Sequence, residues 1–175
     1  MAQDHIQSIM KILFILRHAK SSRKFIGIPD HDRPLNKRGK HDAPLMGKIL
    51  TDQNLTPNLI ISSTAVRAET TAHLIAKACK YMGEIIFDKS VYNAGPLDVL
   101  KLLSKCSDTH NSILLVGHNP TVENMVELLT GLPDITMSTC ALAYLAITID
   151  KWNDINKKNV AKAKLVHLWS PKVLC

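Results

Sequence analysis

Nothing in the 175 residues approaches the roughly 18-residue apolar run that a membrane span needs, which argues against a membrane protein. No CxxC pair, HExxH pattern or Cys/His ligand spacing is present, so neither a structural nor a catalytic metal is expected. Cys79, Cys106, Cys140 and Cys175 are widely scattered, which speaks against a disulfide framework and for reduced thiols in a cytoplasm. The first ten residues, MAQDHIQSIM, lack the basic start and long apolar core of a secretory signal, so residues 1–10 read as a loose N-terminal arm. No internal repeat, low-complexity tract or dividing linker follows, and residues 11–175 are expected to form one domain. Aromatics are only 5 % and do not interleave with basic residues, and no nucleic-acid-binding motif is present, which weakens a reading as a DNA or RNA binder.

Hydrophobic residues at 46 % and charged residues at 21 % are ordinary globular values. The net charge of +7 is compatible with nucleic acid, an acidic partner or a small anionic substrate. Its distribution says more: Arg17, Lys20, Arg23, Lys24, Arg33, Lys37, Arg38 and Lys40 crowd one early segment.

That segment follows the stretch KILFILRHAKSS, in which the apolar run Ile12–Leu16 ends abruptly in Arg17 and His18. Such a run predicts a buried strand whose C-terminal end opens onto a loop, where open α/β sheets place their ligand sites. A long polar loop, Ala19 to Arg33, comes next and suits a binding lid. Asn36 is placed to cap a helix carrying Leu45, Met46, Ile49 and Leu50, with Pro44 either starting its main part or kinking it.

The pattern of strand, polar turn and helix then recurs. Asn58–Ile61 is followed by SST and a helical run from Ala65 to Lys80; Glu84–Phe87 predicts a third strand, Leu97–Leu103 a helix and Ser112–Val116 a fourth strand. That strand runs into Gly117-His118-Asn119-Pro120, where Asn119 is expected to cap, and Pro120 to begin, a helix over Thr121–Thr130 stopped by Gly131 and Pro133. Ala141–Ile149 and Ala161–Trp169 predict a terminal hairpin joined by the polar stretch Asp150–Val160. The expected architecture is a three-layer α/β/α fold, with a mostly parallel central sheet, helices on both faces and an antiparallel edge hairpin.

Three strands thus deliver Arg17-His18, Arg67 and His118 to one sheet edge. Two guanidiniums and backbone amides suit a dianion, above all a phosphoryl group. A neutral imidazole beside a guanidinium keeps a lone pair, so His18 can attack phosphorus, while Arg17, Arg67 and His118 hold the equatorial oxygens. No metal or other cofactor is needed for that chemistry. Any one of these residues alone would read as an ordinary surface or core side chain; their joint placement reverses that preference. The other histidines, His5, His31, His41, His73, His110 and His167, have no placed partner, and Trp152 and Trp169 read as packing.

LRHAKSS, DHDRPLNKRG, SSTAVRAETTA, LLVGHNPTVENM and the MSTCALA run together resemble the histidine phosphatase superfamily, in particular its SixA-type phosphohistidine phosphatase branch. The resemblance covers about residues 11–149 and implies a phosphoglycerate-mutase-like fold. His18 then resembles the phosphorylated nucleophile, and Arg17, Arg67 and His118 the rest of the phosphate pocket. The family's RHG motif reads RHA here. Many members carry an acidic proton donor after the third strand, where this chain has SVYNAGPLD with no carboxylate before Asp98; Asp98, Asp30 and Asp32 are possible stand-ins. Without that acid a phosphohistidine substrate is favoured, because its nitrogen leaving group departs far more readily than an alkoxide. The expected partner is a phosphorylated protein or a small phosphorylated substrate. A small-molecule phosphomonoesterase and a non-catalytic phosphate-binding adaptor are the alternatives.

Overall fold

The computed structural model describes residues 10–24, 27–155 and 163–173. The expected N-terminal arm, apart from Met10, and residues 156–162 before the last strand lie outside the described residues. Six strands form one sheet: β1 (Met10–Arg17), β2 (Leu59–Ser63), β3 (Ile85–Asp88), β4 (Ser112–Gly117), β5 (Leu142–Thr148) and β6 (Ala163–Trp169), in the order β3-β2-β4-β1-β5-β6. The first four pair in parallel, and β5 and β6 add antiparallel pairings on the β1 side. Among the described residues the α-helices are α1 (Lys37–Asp52), α2 (Val66–Ala78), α3 (Pro96–Leu103) and α4 (Thr121–Thr130).

Successive strand residues point to opposite faces, and both faces of this sheet are covered. Leu13, Ile15, Ile61, Ile113 and Leu115 pack with α3 and α4, whereas Phe14, Leu16, Ile60, Leu114 and Val116 pack with α1 and α2. This is the three-layer arrangement expected from the alternation of elements. The N-terminal half of β1 is tied to the turn entering β4 by Lys11, whose buried Nζ donates to Asp108 O at 2.7 Å, His110 O at 3.1 Å and Asn111 Oδ1 at 3.1 Å.

Asn36 caps α1 as expected, its Oδ1 accepting the Gly39 amide at 2.8 Å. The helix runs on through Pro44, so this proline neither starts nor ends it. An interior proline costs about 3 kcal/mol; burial of Ala43, Met46 and Leu50 against α2 offsets it.

Two expectations need correction. Asn119 does not cap α4: Pro120 precedes the first helical residue, and the Asn119 side-chain Nδ2 donates to Met137 O at 3.2 Å. That bond turns the side chain away from the helix end and leaves Oδ1, the atom a cap would use, without a partner among the described residues. The Asp150–Val160 stretch is not simply a polar link, since Trp152 and Ile155 are core residues and the Trp152 indole donates to His110 O at 2.8 Å. Trp152 therefore packs, as does Trp169, which stacks on Tyr144 with centroids 6.3 Å apart.

The contact between α1 and α2 is tight at Gly47, where an added Cβ would lie 2.6 Å from Ala78 Cβ and 2.7 Å from Ile75 O. Helix propensity alone predicts that Gly47→Ala gains about 1 kcal/mol; the backbone clash predicts a net loss of about 1–3 kcal/mol instead. Urea unfolding of the variant decides between them, and unchanged or higher stability would show that the two helices part without penalty.

Candidate active site

The parallel register of β1 and β4 sets Arg17 opposite Gly117, and the His18 amide donates to Gly117 O at 3.0 Å. His18 and His118 therefore leave adjacent strands at the same level, their rings 5.0 Å apart between centroids. Arg67, the second residue of α2, reaches the pair from the third position: its Nε donates to His18 Nε2 at 3.2 Å. Arg17 is anchored through Nη1, which donates to Met137 O at 2.8 Å. The turn before β5 closes this frame, the Cys140 amide donating to Arg17 O and His18 O, each at 3.1 Å, from a left-handed backbone with φ of 64°. The structure thus gathers all four residues expected from sequence, and Arg17, His18 and Arg67 line a cavity of about 160 Å³ together with Lys20, Arg23, Arg33 and Thr139. His118 adjoins His18 without itself lining that cavity.

Hydrogen bonding assigns the imidazole tautomers. His18 Nδ1 lies 2.7 Å from Ala19 O, an acceptor only, so Nδ1 carries the proton and Nε2 the lone pair. His118 Nε2 lies 2.8 Å from Ser63 Oγ. Ser63 is fully buried, and among the described residues its O–H has no acceptor other than Nε2, the Ala65 amide being a donor to it at 3.2 Å; the hydroxyl therefore donates to Nε2, which puts the His118 proton on Nδ1. His118 Nδ1 and Arg17 Nε are buried and without a hydrogen-bond partner among the described residues. Two buried N–H donors left unpaired are costly by themselves and fit an anion that would accept from them.

Electrostatics agree. Burial pushes His18 down to about 3, helped by His118, Arg67 and Arg17 and opposed by the Ala19 carbonyl. Burial and then Arg67 push His118 down to about 4. Both rings are neutral at pH 7.

Several participants were not legible from sequence. Asp30, considered there only as a stand-in acid, sits on Arg67: its Oδ2 accepts from Arg67 Nη2 at 2.8 Å and from the Tyr92 hydroxyl at 2.9 Å, its Oδ1 from Arg33 Nη1 at 2.7 Å, and its carbonyl from Arg67 Nη1. Partial burial alone would raise Asp30, but the hydrogen bonds from Tyr92 and Arg33 and the charge of Arg67 hold it at about 2. His31, expected to be without a partner, has its Nε2 3.0 Å from Thr64 Oγ1 and its ring edge-on to Tyr92. Asp32 pairs with His31, and Asp98 closes the start of α3 by accepting the Gly95 amide at 3.0 Å, so neither reaches the cavity. Ala19 fits because its methyl is a fully buried part of the core under α1 and α2. Among the described residues no three His, Cys, Asp or Glu side chains gather as metal ligands do, and no helix is long and apolar enough to cross a membrane.

The family model described as histidine phosphatase superfamily (branch 1) matches residues 13–91, which carry Arg17, His18 and Arg67. An uncharacterised chloroplastic protein of Arabidopsis thaliana is 33 % identical over 156 residues, 84 % of this chain and 71 % of the relative. The chain belongs to the histidine phosphatase superfamily. Its fold is that of the SixA-type branch: the crystal structure assigned as phosphohistidine phosphatase SixA of Agrobacterium tumefaciens is 29 % identical, covers 92 % of this chain and 98 % of its own, and superposes with a TM-score of 0.77. A second structure, of the protein histidine phosphatase SixA complexed with tungstate, shares the fold at a TM-score of 0.76 and 20 % identity over 94 % of this chain and 99 % of that one. Membership carries phosphatase chemistry with it, the hydrolysis of a phosphoryl group.

In this histidine phosphatase the two buried imidazoles have a measurable consequence. Their folded pKa values of about 3 and about 4 lie below the unfolded value near 6.5, so the unfolded chain binds more protons and stability falls as pH drops from about 6.5 toward 4. The imidazole C–H resonances of His18 and His118 should accordingly hold still from about pH 8 to about pH 5 in an NMR titration. A midpoint near 6.5 for either ring would contradict its burial.

Proposed function

We propose that the protein is a metal-independent phosphatase in which His18 Nε2 takes up a phosphoryl group from phosphohistidine in a protein and passes it to water. The observation that carries this reading is the pair of buried donors, Arg17 Nε–H and His118 Nδ1–H, beside a neutral histidine whose proton is held on Nδ1 by Ala19 O.

In the proposed first step the Nε2 lone pair attacks phosphorus, the substrate P–N bond breaks, and the departing imidazole nitrogen takes up a proton. In the second, water attacks phosphorus, the P–Nε2 bond breaks, and inorganic phosphate leaves with the water's proton passing to solvent or phosphate. Arg17, Arg67 and His118 hold the equatorial oxygens as charge spreads over them. Two permanent cations neutralise the dianion, which is the electrostatic task a metal performs in other phosphoryl-transfer sites. To join them Arg67 exchanges its bonds to His18 Nε2 and Asp30 for bonds to phosphoryl oxygens.

The state of Asp30 supports the choice of substrate. Held at about 2 by Tyr92, Arg33 and Arg67, it is ionised at neutral pH and has no proton to give an alkoxide. A nitrogen leaving group makes the smallest demand for one.

Trapping with a radiolabelled phosphohistidine peptide should give acid-labile, base-stable label on the wild-type chain and none on His18→Ala, and a wild-type chain that never acquires label would favour a phosphate-binding adaptor. Arg17→Lys and His118→Asn should each lower kcat/KM by about 10²–10³. Faster hydrolysis of sugar phosphates or phosphoserine than of the phosphohistidine peptide would overturn the substrate choice.

Asp30 also competes with the phosphoryl group for Arg67. Asp30→Asn removes the negative charge while keeping an acceptor for Arg67, and should tighten binding of inorganic phosphate roughly threefold to tenfold by calorimetry. Equal or weaker binding would mean that the carboxylate orients Arg67 rather than contending for it.

A further inference from the structure

Beside the cavity that holds the two arginines lies a second, larger groove of about 560 Å³, lined by Lys24, Lys37, Arg38 and Lys40 around a floor that includes Pro34 and Leu35, with no acidic residue in its wall among the described residues. The ridge between the two is built, not loose. Ser21 bridges Leu35, the Ser22 amide donates to Pro34 O at 2.8 Å, and the Asn36 amide donates to Lys20 O at 2.9 Å. Gly39 permits that approach, since a Cβ there would lie 2.3 Å from Lys20 O. The start of α1 is thereby locked against the loop that follows His18.

The charges on this surface are largely unspent. Arg38 pairs with Asp42 at 3.2 Å, but Lys20, Arg23, Lys24, Lys37 and Lys40 are exposed and make no ion pair among the described residues. Lys37 and Lys40 also stand in the first turn of α1, where the helix dipole disfavours cations. Like charges crowded at the unfavourable end of a helix work against the fold, and an anionic partner relieves them. The flank on the other side of the site offers no such preference: there Asp88 and Asp98 alternate with Lys89, Lys101 and Lys105.

We propose that this basic apron is the docking surface for an acidic segment of the phosphoprotein substrate, laid across Lys24, Lys37 and Lys40 while the phosphorylated side chain enters the neighbouring arginine cavity. This rests on the phosphohistidine reading above and adds what the partner must present: carboxylates beside the phosphorylated residue. A free phosphate or small ester needs only the inner cavity of about 160 Å³. A nucleic acid is disfavoured because, among the described residues, no Phe, Tyr or Trp lines either cavity to stack a base. Long-range attraction of this kind acts on encounter and selectivity more than on the chemical step.

The test uses two fluorescent histidine peptides of one sequence, flanked by glutamates in one and glutamines in the other, each also prepared as the phosphohistidine form with phosphoramidate. At about 0.15 M salt the unphosphorylated glutamate peptide should bind the full chain roughly tenfold more tightly than the glutamine peptide by anisotropy, and the ratio of kcat/KM for the two phosphopeptides should favour glutamate similarly. Both preferences should vanish in Lys24→Glu/Lys37→Glu/Lys40→Glu, where two of the new carboxylates sit favourably at a helix start, and diminish in the corresponding triple Gln variant. Each readout is a ratio within one protein, so a general loss of active molecules cancels. Equal binding of the two peptides by the wild type overturns the docking surface even when both phosphopeptides are hydrolysed. A preserved binding preference with neither phosphopeptide hydrolysed overturns the phosphohistidine reading instead. Tighter binding of a DNA strand of equal charge than of the glutamate peptide overturns the proposal in favour of nucleic acid.

Discussion

The hydrogen bond from the His18 amide to Gly117 O, at 3.0 Å, is the contact on which the site depends. It extends the parallel pairing of β1 with β4 by one step and brings two histidines, 100 residues apart in the chain, to ring centroids 5.0 Å apart. A slip of one residue would turn each side chain to the other face of the sheet. The register is held at both ends: Lys11 clips the start of β1 to the turn entering β4, and the Cys140 amide bonds the carbonyls of Arg17 and His18 where β1 ends. Packing on both faces of β1 does the rest, because Leu13 and Ile15 belong to one core and Phe14 and Leu16 to the other.

Burial at that position sets the chemistry. An imidazole enclosed by protein and flanked by guanidiniums is costly to protonate, so His18 and His118 are neutral, and each ring's remaining choice is which nitrogen keeps its proton. Backbone and hydroxyl partners put the proton on Nδ1 in both rings but occupy opposite nitrogens, Ala19 O taking Nδ1 of His18 and Ser63 taking Nε2 of His118. One ring then offers a lone pair toward Arg67, and the other an unpaired N–H. Two identical residues acquire different capacities from their hydrogen-bond partners alone.

Features governed by short-range pattern were legible in the sequence. Apolar runs ending in Arg17-His18 and Gly117-His118 marked strands at a functional edge, and Asn36 three residues before Gly39 marked the start of α1. Competition among distant groups was not legible. Asn119 has the composition of a helix cap, yet the bond from its side-chain Nδ2 to Met137 O orients the side chain away from α4, and nothing near residue 119 announces a carbonyl 18 positions later. Trp152 lies in a polar stretch and is buried because Asp108 and His110 supply acceptors for its two N–H groups. The placement of Asp30 on Arg67 needed the path of the whole loop from Ala19 to Arg33, which periodicity does not constrain.

That last placement bears most on specificity. A carboxylate near a phosphoryl group can serve as a proton donor only while it is protonated, and three donors to Asp30, from Tyr92, Arg33 and Arg67, stabilise its ionised form. The same contacts that hold Asp30 on the site therefore keep it from serving as a proton donor. Ester hydrolysis would have to expel an alkoxide without help, whereas cleavage of a phosphoramidate releases an imidazole whose nitrogen is basic enough to take a proton from water as the bond breaks. Arg67 links the two roles: by pairing with Asp30 it keeps that carboxylate charged, and by letting go it gains the fork that a phosphoryl dianion requires. In the proposed reaction, exchange of one anion for another on a single guanidinium would couple loop position, the ionised Asp30 and the leaving group.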